Sequence, residues 1–507
     1  MKRAEVSPEE EPKKKCPRVT VKNPLDSLEE KAREFSLDMH SYEFAKKMDE
    51  EDSLRHLRDD FCVPKMKDIP SVDKTLVDND EDCVYLSGNS LGLQPKKTRF
   101  YMDQELNKWG KYGVHGHFLG DIPWAFCDEV MQVDMSKLVG ANPEEVAIMN
   151  GLTVNLHLLM VSFYRPTEKR HKILIESKAF PADHYAMESQ ICNKGYDPKS
   201  SLLCLKPSQG RHIITTEEIL SFIEREGDEI ALILMGGLQY FSGQLFDMEA
   251  ITKAGHAKGC VVAFDLAHAV GNVELKLHDW GVDFAVWCNY KYVNGGAGAL
   301  AGAFLHNKHK NNNYPKLLGW WGNRMSTRFH MSNERTTCGH HAVPFYSPEL
   351  DLSPGIAGYR ISNPSIMAAV PIRASLDVFN KTCMADLRAK STLLTGYLEF
   401  LLNREFAKES EIRTQDVHLE IATPSDYRQR GAQLSLMFSV PMSDIHSHMM
   451  KRGIVCDERQ PNVIRVAPAP LYNSFKDVWR FIKYLRESIE EASHEKPKRK
   501  NSDLDLD

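Results

Sequence analysis

The sequence predicts an α/β fold: a large domain built on a mainly parallel sheet, joined to a smaller α+β domain. Three observations lead there. Between residues 131 and 345, short apolar runs bounded by turn signals alternate with polar stretches of helical spacing, the pattern of strands buried on both faces. From 346 to 493 long helical segments come first and strands later, which suits a separate mixed layer. The chain has 507 residues, 42% of them apolar and 26% charged, enough for two domains with sizeable cores.

Residues 1–25 mix Lys, Glu and Pro and read as an unstructured tail. Residues 26–130 read as a helical arm together with part of the small domain. There Leu28, Ala32, Phe35, Leu37 and Phe44 recur at helical spacing among charges. Val84-Tyr85-Leu86 reads as a short strand entering the turn Ser87-Gly88-Asn89-Ser90, and Lys96–Gly110 as a helix. In the large domain, strands are expected over Val146–Ile148, Lys172–Ile175, Ile230–Leu234, Val261–Phe264 and Phe284–Trp287, with a partly helical connection over Glu274–Asp283. Asn333–Gly358, rich in Pro, Gly and His, reads as an extended surface loop. In the small domain Ile366–Phe379 and Leu387–Asn403 read as helices, and Gln433–Phe438 and Val463–Val466 as strands. Residues 494–507 read as a second disordered tail.

A net charge of -6 argues against general affinity for nucleic acid and leaves small molecules as the expected partners. The chain has no run of eighteen apolar residues and no signal-peptide pattern, so no membrane association is expected. Eleven cysteines, an odd number without a Cys-x-x-Cys pair, fit a reduced, cytoplasmic compartment. Cys and His lack the paired spacing of a structural metal site, and no metal is expected. The basic runs at 13–15 and 496–500 read as solvated tails.

The chemistry is concentrated between Val261 and Phe304. Asp265 closes one buried strand, Lys291 follows the next, and Gly295, Gly296 and Gly298 let the backbone turn after the lysine. In an open α/β sheet ligands bind outside the carboxyl ends of the strands, so both side chains can converge on one molecule. A lysine amine there can form a Schiff base with a cofactor aldehyde, and a carboxylate beside a pyridine nitrogen keeps that nitrogen protonated. The pair therefore points to pyridoxal phosphate (PLP). Singly, each residue has a plainer reading, because most lysines are solvated and Asp-x-x-His is short. Their order at successive strand ends is what carries the assignment.

Met149–Asn155 joins a strand to a helix, whose N-terminal N–H groups at Leu152 and Thr153 suit a phosphate. Thr153 could instead simply cap the helix. The Tyr290 phenol can both donate and accept, toward phosphate or in a proton relay. Arg465 can grip an α-carboxylate through two parallel hydrogen bonds, its plainer role being a structural salt bridge.

Phe264-Asp265-Leu266-Ala267-His268-Ala269-Val270-Gly271-Asn272, Asp279-Trp280-Gly281-Val282-Asp283-Phe284-Ala285 and Tyr290-Lys291-Tyr292 closely resemble kynureninases. The resemblance runs from Ser87-Gly88-Asn89-Ser90-Leu91-Gly92 through Arg360-Ile361-Ser362-Asn363-Pro364 to Arg465–Asn473, nearly all of the chain except its ends. It implies the fold-type I, aspartate aminotransferase-like fold of PLP-dependent transferases, with Lys291 and Tyr290 catalytic. It also implies that Phe180 stacks on the cofactor ring and that Asp183, Asp265 and His268 surround it, with Asp265 at the pyridine nitrogen. Leu152, Thr153 and Tyr290 are then phosphate contacts, and Trp320 reaches the phosphate across a homodimer interface. Gly236 stands near the cofactor where some relatives carry a side chain. Ser90, His117, Asn363 and Arg465 are the implied substrate contacts, Asn363 lying near the cofactor as well. The implied reaction is hydrolysis of kynurenine or 3-hydroxykynurenine to anthranilate or 3-hydroxyanthranilate and L-alanine, in tryptophan catabolism and NAD biosynthesis. Two alternatives stay open: another fold-type I enzyme such as a cysteine desulfurase or selenocysteine lyase, and an inactive PLP-fold scaffold.

Overall fold

The protein is described by a computed structural model over residues 22–329, 350–408, 410 and 417–502, with side chains up to 494. Seven strands form the large sheet: β1 (Val146–Met149), β2 (Lys172–Glu176), β3 (Leu202–Leu205), β4 (Ile230–Gly236), β5 (Val261–Asp265), β6 (Phe284–Trp287) and β7 (Ala301–Leu305). Their spatial order is β1-β7-β6-β5-β4-β2-β3. β6, β5, β4, β2 and β3 are parallel, whereas β7 is antiparallel to both of its neighbours. The interior strands are buried almost end to end, which is why the sequence shows continuous apolar runs rather than alternation. Helices Leu152–Phe163, Pro181–Asn193, Thr216–Glu226 and Met248–Ala257 each follow a strand of this sheet.

Two features of this domain differ from expectation. β3 and β7 were not anticipated, and Glu274–Asp283 forms turns instead of a partly helical connection. The backbone explains the second difference. Leu277 and His278 donate their N–H groups to Val139 and Gly140 carbonyls, at the end of the helix that precedes β1, and Gly281 takes a φ of 69°, so the segment is tied across to that helix end and closes on itself only in short turns.

The smaller sheet is antiparallel: β8 (Leu419–Ile421), β9 (Leu434–Phe438), β10 (Asp457–Arg459) and β11 (Val463–Val466), ordered β8-β9-β11-β10. Helices Met384–Phe406 and Phe475–Ser502 pack with it. The N-terminal helices Pro24–Phe35 and Tyr42–Glu51 belong to the same layer, since Leu28, Phe44 and Ala45 share a core with Leu398, Leu436 and Phe481. The Ser41 hydroxyl accepts from Phe44 N at 3.1 Å and caps the second of these helices. Ile366–Phe379 is helical over the residues expected.

The last helix continues to Ser502, past His494, where a disordered tail was expected. The expected tail over residues 1–21 and 503–507, and the expected loop from Asn333 to residue 349, lie outside the described residues. Beyond that gap Gly355–Tyr359 forms a 3-10 turn. No helix among the described residues is long and apolar enough to cross a membrane. Among the described residues Cys62, Cys83, Cys127, Cys192, Cys204, Cys260, Cys288 and Cys456 are free thiols.

Candidate active site

The carboxyl ends of β2, β4 and β5, the loop after β6 and the first turns of two helices enclose one pocket, lined by Lys291, Asp265, Asp183, His268, Glu176 and Phe180 among others. Lys291 arrives there because β6 ends at Trp287 and the chain turns at once; Gly296 and Gly298 take φ of 81° and 73°, a region closed to most side chains. Its Nζ lies 3.0 Å from His268 Nε2 and 5.7 Å from the Phe180 ring centroid. His268 is buried, and desolvation, followed by the charges of Lys291, Arg465 and Arg459, holds its pKa well below the usual histidine value. It is therefore a neutral imidazole facing an amine.

Asp265 closes β5, and its Oδ1 accepts from Ala267 N at 2.7 Å. Burial raises its pKa while the Lys291 charge lowers it. Asp183, in the first turn of helix Pro181–Asn193, is raised well above the carboxylate range by burial and then by the Asp265 charge beside it. Two neighbouring carboxyls in a dry site share a proton; here Asp183 keeps it and Asp265 carries the charge.

Helix Leu152–Phe163 begins at Gly151, which has no side chain to cap it. Thr153 is inside the first turn rather than at the cap, so the simple capping role does not apply, and Leu152 and Thr153 both line the pocket. The unpaired N–H groups of that turn can receive an anion. Phe180 precedes the neighbouring helix with its ring partly exposed toward the pocket, packed edge-on against Tyr240 at 5.2 Å. The Tyr290 ring also lines the pocket, and its phenol pKa is raised, chiefly by burial.

An anion site, an amine beside a neutral imidazole, an exposed ring face and a buried carboxylate with its protonated neighbour together fit PLP. Asp183 Oδ1 and His268 Nδ1 are buried without hydrogen-bond partners, as groups awaiting a polar ligand would be.

Nine residues expected at the site meet in this pocket: Leu152, Thr153, Phe180, Asp183, Gly236, Asp265, His268, Tyr290 and Lys291. Five do not line it. Ser90 and Asn363 are exposed, and His117 contacts Val114 O and the edge of Trp124. The Trp320 indole N–H is spent on Arg328 O at 2.7 Å. Arg465 is buried and engaged by Asp457 and by Tyr240 O.

Glu176, Tyr240 and Cys288 were missed by the sequence reading. Glu176 is the last residue of β2, where an acid usually faces water, yet it is buried and its pKa is pushed up to about 7 by desolvation. Its carboxylate accepts from Gly236 N at 3.2 Å, and a Cβ at Gly236 would sit 3.1 Å from Glu176 Oε1. The glycine thus admits a third carboxyl. A charged residue closing an apolar run at the carboxyl edge of the sheet was the available signal. Cys288 is buried, and its thiol is raised by desolvation, so it is no thiolate nucleophile.

Two other clusters are structurally satisfied. A larger groove beside the N-terminal helices is lined by charges that pair with one another, Arg58 with Asp82 and Asp477, and Lys390 with Asp52. Glu145, His278 and His306 bring metal-capable atoms together, but Glu145 already accepts from Asn142 N and Asn307 N, and His306 Nδ1 from Lys308 N.

The aminotransferase class-V family model matches residues 129–405, and the kynureninase C-terminal domain model residues 387–485. Kynureninase of Mus musculus is 51% identical over 92% of this chain and 98% of its own length, and that of Homo sapiens 50% over 92% and 97%. Kynureninase of Myxococcus xanthus is 49% identical over 88% and 96%. Among solved structures, a cysteine desulfurase from Thermococcus onnurineus superposes with a TM-score of 0.63 at 14% identity, covering 85% of this chain and 100% of that one. A cysteine desulfurase from Escherichia coli gives 0.64 at 14% identity over 86% and 98%. At that identity these two establish the fold-type I architecture alone. Relatives half identical along nearly their whole length, with Lys291, Asp265 and His268 gathered in one pocket, leave a single assignment: the chain belongs to the kynureninase family.

Proposed function

We propose that this chain hydrolyses the Cβ–Cγ bond of kynurenine and 3-hydroxykynurenine, giving L-alanine and anthranilate or 3-hydroxyanthranilate, with PLP as cofactor. The observation that carries it is the Lys291 amine set against neutral His268 within reach of the Asp265–Asp183 pair, in a chain half identical to kynureninases. Bound PLP supplies the electron sink for negative charge developing on the substrate.

The chain's own groups do the rest. Lys291 Nζ would hold the cofactor through its aldehyde, and as a free amine would take up the substrate Cα proton as general base. His268, uncharged, accepts a hydrogen bond from the amine without competing for its charge. Asp265 would keep a negative charge at the pyridine nitrogen, and the backbone of Leu152 and Thr153 would hold the phosphate. Water adds to the γ-carbonyl, and that carbon departs as the carboxylate of the aromatic product. Tyr290, whose phenol stays protonated far above neutral pH, donates the proton that completes alanine. Arg465 receives the substrate α-carboxylate.

The surface supports a homodimer. Phe100, Trp109 and Phe118 are 64%, 61% and 57% exposed, and Phe118 and Trp320 both contact the Phe329 ring, making a broad aromatic face. Ser90, His117, Trp320 and Asn363 stand outside the pocket of their own chain, and a second copy is the partner that gives them a role. Free cysteines suit residence in the cytoplasm. The cysteine-desulfurase alternative lacks an ionisable thiol at the pocket, Cys288 being buried and neutral.

The test is a steady-state assay of PLP-loaded protein with kynurenine and 3-hydroxykynurenine side by side, following alanine and the aromatic product. Cleavage supports the reading, with the ratio of kcat/KM values reporting ring preference. A protein that binds PLP and cleaves neither overturns the substrate assignment.

A further inference from the structure

We propose that Asp457 is the positioning residue for Arg465, holding its guanidinium side-on so that the terminal nitrogens are presented to the substrate carboxylate. This rests on the reading of Arg465 as the α-carboxylate ligand.

Asp457 on β10 and Arg465 on β11 are direct cross-strand partners, and Ser435 on β9 faces Arg465 from the other side. Directly opposed residues project from the same face of a sheet, so the three form one polar row. Arg465 Nε and Nη2 both donate to Asp457 Oδ2, and Nη1 donates to Tyr240 O at 2.7 Å. An N–H on each terminal nitrogen is then unspent, the pair with which a guanidinium forks a second carboxylate.

The charge count favours an incoming anion. Asp457 Oδ1 accepts from Arg459 Nη1 at 3.1 Å, so one carboxylate serves two arginines and the cluster keeps a surplus positive charge. The cluster also adjoins the pocket: Tyr240 lines it and packs on Phe180, and the fields of Arg465 and Arg459 reach His268. Arg465 is only 2% exposed, so its plane is set by these partners and not by solvent. Without Asp457 the guanidinium would be free to swing toward the backbone carbonyl alone.

The experiment compares Asp457→Asn and Arg465→Gln in the PLP-loaded enzyme, with two ligands: kynurenine, and the amino ketone that differs only in lacking the α-carboxylate. Asp457→Asn is expected to raise KM for kynurenine by about tenfold or more, to change kcat by less than about threefold, and to leave the inhibition constant of the decarboxylated ligand unchanged. Asp457→Glu, which keeps the charge at a different reach, is expected to fall between wild type and Asp457→Asn and serves if the amide variant does not fold. An unchanged or lowered KM, or equal weakening of both ligands, overturns the positioning role. If Arg465→Gln leaves KM unchanged, the carboxylate reading of Arg465 falls, and with it this proposal. A raised KM in Arg465→Gln alone overturns only the role of Asp457.

Discussion

Lys291 Nζ and His268 Nε2 are 3.0 Å apart in a site where the imidazole is held neutral by burial. The amine therefore has a hydrogen-bond acceptor that does not carry its proton away. Lys291→Ala is expected to lose the visible absorbance of the bound cofactor and to reduce turnover by about a thousandfold or more, as removal of a general base does. Retention of both would remove the central assignment.

Asp265 carries the charge that Asp183 cannot. Asp265→Ala is expected to lower kcat by about a hundredfold and to stay low at saturating PLP, because the loss is electronic rather than one of affinity. Recovery of wild-type turnover on adding PLP would show that Asp265 only helps binding.

Glu176 makes a pH prediction in the cofactor-free protein. Its folded pKa of about 7 exceeds the ordinary glutamate value of 4.5, so between these values the folded state holds a proton that the unfolded chain has released. Its contribution to stability is full below about 4.5, falls as pH rises to about 7 and is absent above. Glu176→Gln removes this penalty and is expected to gain up to about 3 kcal/mol over wild type at pH 8, but little at pH 4.5. Thermal melts of both proteins across that range decide it; an equal difference at the two ends would rule out titration of Glu176.

Trp109 and Phe118 stand on the aromatic face assigned to a second copy. Trp109→Glu with Phe118→Glu is expected to shift sedimentation to the monomer and to cost most of the turnover. A variant that remains dimeric would place the interface elsewhere.

Cys288 lines the pocket as a buried neutral thiol. Cys288→Ala is expected to keep kynurenine turnover within about threefold, since a protonated thiol contributes packing and not nucleophilicity. Loss of all activity would revive sulfur chemistry at this site.

How far the sequence could be read depended on whether an element announces itself locally. β5 and β6, with Asp265 and Lys291 beyond them, are interior strands of branched and aromatic residues and show as uninterrupted apolar runs. β3 is an edge strand of four residues directly after the short helix Pro198–Ser201, and β7 is mostly small residues after a glycine turn, so neither shows a strand period. The cofactor side of the pocket lies at strand ends and helix starts, where position follows from the element. Glu176 and Asp457 act through the pairing of one strand with its neighbour, which single-strand patterns do not encode.

The antiparallel course of β7 has a consequence for how this enzyme tolerates change. The connections after β1, β2 and β4 pass through helices Leu152–Phe163, Pro181–Asn193 and Met248–Ala257, which can be lengthened or trimmed at their solvent ends. The return from Trp287 to Ala301 has no such reservoir: it is pinned at both ends to adjacent strands, with Gly302 opposite Trp287. An insertion or deletion there falls close to Lys291, between two paired strands. Engineered length variants should therefore be placed in the helical crossovers, and libraries that vary this return should substitute residues without adding any.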